Sequence, residues 1–460
     1  MMGEKEKNWL CGAAGALLLA GAALIFAAPG GIGSGSGVSS GSAGSGRGDA
    51  ETDGGSRITV GVFSDSYWEV PNGYAYVILE DAIRIFEEEN PGVQVEYVSG
   101  IMKEDYSEWL AEQVLSGTAP DVFLLLGEDF NDYAEQGVLM DLDSFMEQDE
   151  SFDRNGFYSS ALSAGRYRQN QYALPYECAP RLMFVNKTIL DREGVEMPGE
   201  DWTWEDFYQI CRKVTKDTNG DGVTDQFGVV GYTWEEAFDS NGVTIFDQTG
   251  TECFLTGSRV EEAIRFIERL EEIDGGDGAT ERDFDLGNVA FWPVVFSEFR
   301  AYKSYPLSVK KYSGFEWSCI PMPAGPEGGN ISSLDTLLAA VSGKTRHREE
   351  AWEFLKILTC DERIQSELFD YSEGVSVLKN VTESEENLKR LIEDSETLNL
   401  QILSDAVENA AVSPRFRGIE EAKAEVGRAV DDIISSGTSI STGQIIWNRE
   451  INKFLAGERL

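Results

Sequence analysis

The chain has 460 residues, with 38 Lys and Arg against 81 Asp and Glu and a formal charge of −43. That length suggests roughly two to three domains, and 42% hydrophobic with 11% aromatic residues is enough for a large core, which excludes a disordered acidic chain. The charge argues against nucleic acid, anionic polysaccharide and anionic lipid as direct ligands, since phosphates are held by Lys and Arg through counterion release.

Residues 1–28 read as a signal peptide or an N-terminal membrane anchor. Lys5 and Lys7 precede an uncharged run from Leu10 to Ala28, and the positive flank places the N-terminus in the cytoplasm. Cys11 stands at the start of that run and not after it, so no lipid-attachment cysteine is expected. Residues 29–56 are Gly/Ser-rich and read as a flexible linker. The expected product is an acidic body, exported and either membrane-anchored at the extracellular face or secreted.

Within the body, alternation of Ile58, Val60 and Val62 predicts a strand over Arg57–Phe63. Ile78, Ala82, Ile85 and Phe86 predict a helix over Ala75–Asn90, stopped at Asn90-Pro91-Gly92. Val93, Val95 and Tyr97 form a second strand, and Glu104–Ser116 a second helix. Asp121–Leu126 is a continuous apolar run, as in a strand buried on both faces. This β-α-β-α-β rhythm predicts an α/β fold with a mostly parallel sheet, whose ligands sit at the carboxyl ends of the strands. The loops after Phe63 and Leu126 are then placed to bind. Further along, Met183–Asn186 and Leu334–Val341 read as strands. Trp204–Lys216, Val260–Ile273 and Glu349–Thr359 read as helices, as do about 384–410, 419–435 and 442–456.

Asp217-Thr218-Asn219-Gly220-Asp221-Gly222-Val223-Thr224-Asp225 has the spacing of a structural calcium loop, with Asp217, Asn219, Asp221, Val223 and Asp225 as its ligand positions. Gly228 stands where the bidentate Glu belongs, and the competing reading is a turn closed by its own side chains. Aromatics near loops include Trp68, Tyr176, Trp202, Trp204, Trp234 and Trp292. Flat rings pack on sugar C–H faces while carboxylates bind hydroxyls. For most of these rings core packing is the competing reading, and Trp204 reads as a helix-start packing residue. Paired acids for glycoside hydrolysis carry little information among so many carboxylates. His347 is the one histidine, which removes H-E-x-x-H zinc chemistry, and its basic neighbours predict an exposed position. Cys178, Cys211, Cys253, Cys319 and Cys360 form no CxxC pair and read as buried free thiols.

Several stretches, in order, resemble the extracellular solute-binding proteins of ABC importers, family 1, the group that includes maltose-binding protein. They are Phe86–Val95, Ser116–Phe123 (Ser-Gly-Thr-Ala-Pro-Asp-Val-Phe), Tyr133–Leu142, Tyr172–Tyr176 with Phe184–Lys187, Trp204–Phe207, Gly287–Phe291 and Ala351–Leu355. The resemblance spans about 57–460. It implies a two-lobed fold of the periplasmic-binding-protein type II kind, with the ligand cleft between lobes joined by a hinge. Lobe one is expected over 57–177 with 330–380 returning to it, and lobe two over 178–329 with 381–460 returning. Carried onto this sequence, the cleft residues are Trp68, Glu128, Tyr176, Glu177, Trp234, Trp292, Asp335 and Arg417.

The resemblance further implies a non-catalytic, monomeric substrate-binding subunit that takes a sugar or oligosaccharide and delivers it to membrane permease subunits. No cofactor is required beyond the calcium considered above, and no nucleic acid is a partner. The rival readings are a surface-anchored glycoside hydrolase and an extracellular carbohydrate sensor or scaffold with the same fold.

Overall fold

The computed structural model describes residues 56–68, 74, 76–274, 278–298, 300, 314–392 and 400–457. The expected leader, and the linker up to residue 55, lie outside them.

Nine strands form one mixed sheet among the described residues: β1 (Ser56–Gly61), β2 (Val93–Val98), β3 (Val122–Leu125), β4 (Ala173–Asn186), β5 (Phe227–Val229), β6 (Val289–Val295), β7 (Trp317–Ile320), β8 (Leu334–Val341) and β9 (Val375–Ser376). The main path runs β2-β1-β3-β8-β4-β6-β5, with β7 and β9 also paired to β4. The opening βαβαβ is parallel, as its rhythm predicts: β1 pairs parallel with β2 and with β3. Beyond it only β5 and β6 pair parallel among the described strands, so the expectation of a mostly parallel sheet fails for the rest. β8 lies antiparallel to both β3 and β4, and β4 antiparallel to β6 and β7. These antiparallel pairs are made by the strands that carry the chain between lobes.

β4 is the common member. Its first half, Ala173–Pro180, pairs with Ala340–Leu334, while Arg181–Val185 pairs with Val295–Phe291 and Met183–Asn186 with Ile320–Trp317. Only its last four residues read as a strand in the sequence. The preceding Ala-Leu-Pro-Tyr-Glu-Cys-Ala-Pro-Arg contains two prolines and a glutamate, which hide the period. A register shift between Leu337 and Leu338 absorbs the irregularity there.

Helices cover both halves. In lobe one they are α1 (Val77–Glu89), α2 (Lys103–Ser116) and α3 (Gly127–Glu135). In lobe two they are α4 (Trp204–Val214), α5 (Trp234–Ser240) and α6 (Ser258–Asp274). α7 (Arg348–Cys360) and α8 (Glu362–Tyr371) pack on α1. α9 (Leu400–Glu408) contacts β4 and the short helix Ser159–Ser163, whereas α10 (Ile419–Ser435) and α11 (Ile440–Leu455) contact α6. The helix expected over 384–410 is two helices, Glu385–Ile392 and α9, on either side of 393–399, which lie outside the described residues.

Local chemistry explains the starts of α4 and α5. Thr203 accepts from the Asp206 backbone N–H while Asp206 accepts from the Thr203 backbone N–H and hydroxyl; Thr233 and Glu236 form the same capping box. Each box satisfies donors that a helix start leaves orphaned. α4 then presents Trp204, Phe207, Cys211 and Val214 to the lobe-two core. Trp204 stacks on Phe266 at 4.4 Å, as a packing residue should, and Phe207 meets Trp202, Phe291 and Tyr232. Phe207 is fully buried. Phe207→Ala should cost about 3–5 kcal/mol of stability, read as a fall in the urea midpoint with an unchanged slope.

Candidate functional site

The floor of the cleft is laid where β4, β8 and the segment before α10 cross side by side. Asp335 of β8 pairs with Ala179, two residues from Arg181. Arg415 donates to the Thr336 carbonyl at 3.1 Å, and the Tyr67 hydroxyl donates to the same oxygen at 3.4 Å. The exposed Asp335 carboxylate interacts electrostatically with Arg181, Arg415, Lys423 and Tyr67. Two floor atoms, Arg415 Nε and Thr336 Oγ1, are buried without a hydrogen-bond partner, which marks them as groups a ligand or water would satisfy.

Lobe two supplies the opposite wall through the N-terminus of α5. The capping box holds one oxygen of Glu236 on Thr233, and its other oxygen meets Arg181 at 3.4 Å. Next to it Glu235 pairs with Lys423 at 3.1 Å. Burial, reinforced by Glu236 and Glu235, pushes the Asp239 carboxyl up to about 7. A local capping motif therefore aims a carboxylate at the hinge. From lobe one the N-terminus of α3 brings Glu128 and Asp129. The Ser107 hydroxyl donates to Asp129 at 2.6 Å, and burial raises the Asp129 carboxyl. The lobes also touch directly, through Asn131 Nδ2 donating to the Gln248 carbonyl at 2.7 Å.

The residues singled out in the sequence divide into three groups. Asp335 stands at the crossing on β8, Glu128 and Trp234 stand in the first turns of α3 and α5, and Arg417 just precedes α10. Glu128 and Arg417 are exposed, Arg417 interacts electrostatically with Asp129, and Trp234 is half-buried at the start of α5. Its indole lies close over α10, where Gly427 leaves the room: a Cβ there would sit 3.3 Å from Trp234 Nε1. Trp68, Tyr176 and Glu177 lie together inside lobe one. Trp68 is only 7% exposed and packs edge-on against Tyr67 at 4.7 Å. Trp68 Nε1 and a Glu177 carboxylate oxygen lie 2.8 and 2.5 Å from the place a Cβ on Gly374 would occupy, so the two side chains are neighbours and Gly374 is what admits them. Trp292 stands apart, buried on β6 between Phe184 and Phe284. Apolar neighbours on both sides make it a core residue.

Sequence reasoning passed over Asp129, Arg181, Arg415 and Lys423. Arg181 stands two residues before a recognised strand, and Arg415 two residues before Arg417. The signal available was charge within or beside an apolar crossing, where an unpaired ion is costly.

The 217–225 loop closes on itself. Asp217 accepts from the backbone N–H groups of Asn219, Gly220 and Gly222 at 2.6–3.1 Å, and Asp225 accepts from the Thr218 N–H and hydroxyl. Asn219 and Asp221 each cap the residue two further on. No set of three or more His, Cys, Asp and Glu able to hold a metal stands together among the described residues. The donors present fit an Asx-rich turn. His347 is half-buried and not exposed, because Nδ1 lies 3.0 Å from the Ser56 hydroxyl. Cys178, Cys211, Cys253 and Cys319 are buried and Cys360 is half-buried.

Two α/β lobes joined through shared strands, with charged side chains gathered at the crossing, define a two-lobed fold of the solute-binding kind. The chain belongs to the bacterial extracellular solute-binding protein family, whose model matches residues 67–362. It is 25% identical over 292 residues to an uncharacterized lipoprotein of Streptomyces antibioticus, covering 58% of this chain and 60% of that one. It is 23% identical over 335 residues to the multiple sugar-binding protein of Streptococcus mutans, covering 66% and 73%. In fold it is similar to an ABC substrate-binding protein of Listeria monocytogenes solved in complex with cycloalternan, with a TM-score of 0.64 at 22% identity over 87% of this chain and 99% of that one.

Glu177 gives the site a pH signature. Burial is the main cause that raises its carboxyl from 4.5 to about 7, partly offset by the Ser372 hydroxyl and the Trp68 indole. A carboxyl raised on folding binds its proton more tightly in the native state. Its ionisation therefore costs stability as pH rises from about 4.5 to about 7, and the full cost stands above that. Glu177→Gln should gain on the order of 3 kcal/mol relative to wild type at pH 8 and nothing at pH 4. Urea unfolding of both forms across that range checks it.

Proposed function

We propose that this protein is the extracellular substrate-binding subunit of an ABC importer, and that it takes a sugar or oligosaccharide into the interlobe cleft for delivery to membrane permease subunits. The observation that carries the reading is the convergence at one hinge of Asp335, Arg181 and Arg415 from the crossing segments with Glu235, Glu236 and Lys423 from lobe two. Paired carboxylates and guanidinium groups of this kind accept from and donate to hydroxyls without needing a charged ligand. The carbohydrate class draws support from the sugar-binding name of the Streptococcus mutans relative and the cycloalternan bound by the Listeria protein.

On this reading Asp335, Glu128 and Arg417 contact the solute, Trp234 offers a ring face, and Arg181, Asp129 and Lys423 complete the walls. Tyr176, Glu177 and Trp68 act from behind, by holding Tyr67. Lobe one takes in the segment up to about residue 411, because α9 packs on the helix Ser159–Ser163 and Ser404 bonds Tyr158, and lobe two regains the chain from α10 onward. The protein works as a monomer held at or released from the outer face of the membrane. It binds without cleaving, so oligosaccharides incubated with it stay intact.

Thermal unfolding against a panel of mono- and oligosaccharides, polyols and amino acids tests this. A ligand bound only by the native state raises Tm by mass action, and one carbohydrate class should give a saturable rise. Asp335→Asn should weaken that solute by about ten- to a hundredfold, from the loss of charge-assisted hydrogen bonds, while leaving the ligand-free Tm near wild type. Equal affinity in that variant removes Asp335 from the site, and a panel without any saturable carbohydrate overturns the proposal.

A further inference from the structure

The turn at 247–252 in lobe two is braced from within. Asp247 accepts from the backbone N–H groups of Thr249, Thr251 and Glu252 at 2.7–3.1 Å, and from the hydroxyls of both threonines. One carboxylate thus closes the whole turn on itself. The base of the turn is buried: Phe246 meets the ring of Phe416 edge-on at 5.7 Å, and both side chains belong to the lobe-two core. Gly250, with φ of +70°, lies against the same ring, where any Cβ would run into it. The turn therefore has little freedom relative to the chain at Arg415 and Phe416.

α3 of lobe one packs on that same stretch. A Cβ on Gly127 would sit 2.9 Å from the Arg415 guanidinium, and the Asn131 N–H donates to the Arg415 carbonyl at 3.3 Å. The side-chain amide of Asn131 then reaches the braced turn, at the Gln248 carbonyl, at 2.7 Å. Asn131 is buried, and a hydrogen bond shielded from water is electrostatically stronger than an exposed one. The acceptor is already fixed by Asp247 and Phe416, so little freedom is lost when the bond forms. The contact consists of protein atoms alone, and no solute is needed to make it.

We propose that Asn131 and the Asp247-braced turn form a latch between the lobes, which holds a share of the molecules closed before a solute arrives and so sets affinity without touching the solute. The inference rests on the binding reading above and adds to it a positioning residue, Asn131. Apparent affinity scales with the population of the binding-competent form. A latch that raises the closed share therefore tightens binding of every solute the closed cleft accepts.

The test reads interlobe distances by pulsed dipolar spectroscopy on the full-length protein with no solute added. Spin labels sit at Leu115→Cys on α2 and Arg212→Cys on α4, both exposed, in a Cys360→Ser background. Asn131→Leu removes the donor at similar volume, Asn131→Asp puts an acceptor in its place, and Asp247→Ala loosens the turn from lobe two alone. Each should raise the ratio of long to short distances about three- to tenfold, the range that one neutral hydrogen bond supports. A Tm near wild type verifies folding, and a merely structural role would lower Tm while leaving the distances alone. An unchanged distribution overturns the proposal, in Asn131→Asp where that variant folds and in Asp247→Ala where it does not. For a carbohydrate that the Tm panel identifies, affinity should fall by up to the same factor in Asn131→Leu. A fall in affinity with unchanged distances would put Asn131 on the solute and overturns the latch. The distances need no solute, so failure of the carbohydrate reading and failure of the latch are separate results.

Discussion

The structure depends on one strand being shared. β4 pairs its first half with β8 and its second half with β6 and β7, so a single stretch of backbone hydrogen bonds belongs to both lobes. Neither half-sheet is complete without it. Its residues are buried almost throughout, Cys178, Ala179, Leu182 and Met183 fully, so the crossing is anchored by apolar packing. The pairing partner changes between Pro180 and Arg181, and on the proposed reading motion between lobes would be taken up there. That is where the floor of the cleft lies. Hinge positions of this kind are set by where backbone pairing ends, and ligand contacts beside them act on closure directly.

Burying charge at such a crossing is costly unless partners are supplied. Each base identified at the cleft has an acid within reach: Arg181 with Glu236, Lys423 with Glu235, and Arg415 within the field of Asp335. The partners come from different elements, and one of them, Glu236, is fixed by its own helix cap. Helix-start chemistry and cleft electrostatics are therefore one arrangement. Thr233 positions Glu236, Glu236 positions Arg181, and Arg181 stands beside Asp335 on the neighbouring strand.

Much of the fold was legible because periodicity is local. The opening βαβαβ, α4, α6, α7 and β8 follow from apolar spacing and from Gly and Pro stops. β4 was only partly legible, since a strand buried on both faces and interrupted by prolines has no alternation to find. The site was harder. Trp68 read as a ligand-facing ring because it falls in a polar loop beyond a strand end, and Trp292 was carried over by the resemblance, yet one packs on Tyr67 and the other between two phenylalanines. A sequence gives a ring's position along a strand but not the direction in which the crossing turns it. Asp335 and Glu128 were named through the resemblance, and they stand at the start of β8 and in the first turn of α3. Arg181 and Arg415 were passed over because their significance comes from segments far apart in the chain meeting at one crossing.

The charge of the whole molecule and the chemistry of its cleft can be reconciled on the same terms. An excess of carboxylates spread over an exposed surface repels anions and keeps the body soluble. It need not set the sign of the cleft, where acids and bases are matched and a neutral, hydroxyl-rich solute would exchange hydrogen bonds with both. Contact across the cleft is already made by Asn131 and Gln248, and α3 carries Glu128, Asp129 and Asn131 on adjoining turns. A solute drawing on Glu128 and Asp335 together would thus act on the same helix that touches lobe two. Occupancy and closure would be linked by differential contact and not by any change in the lobes themselves.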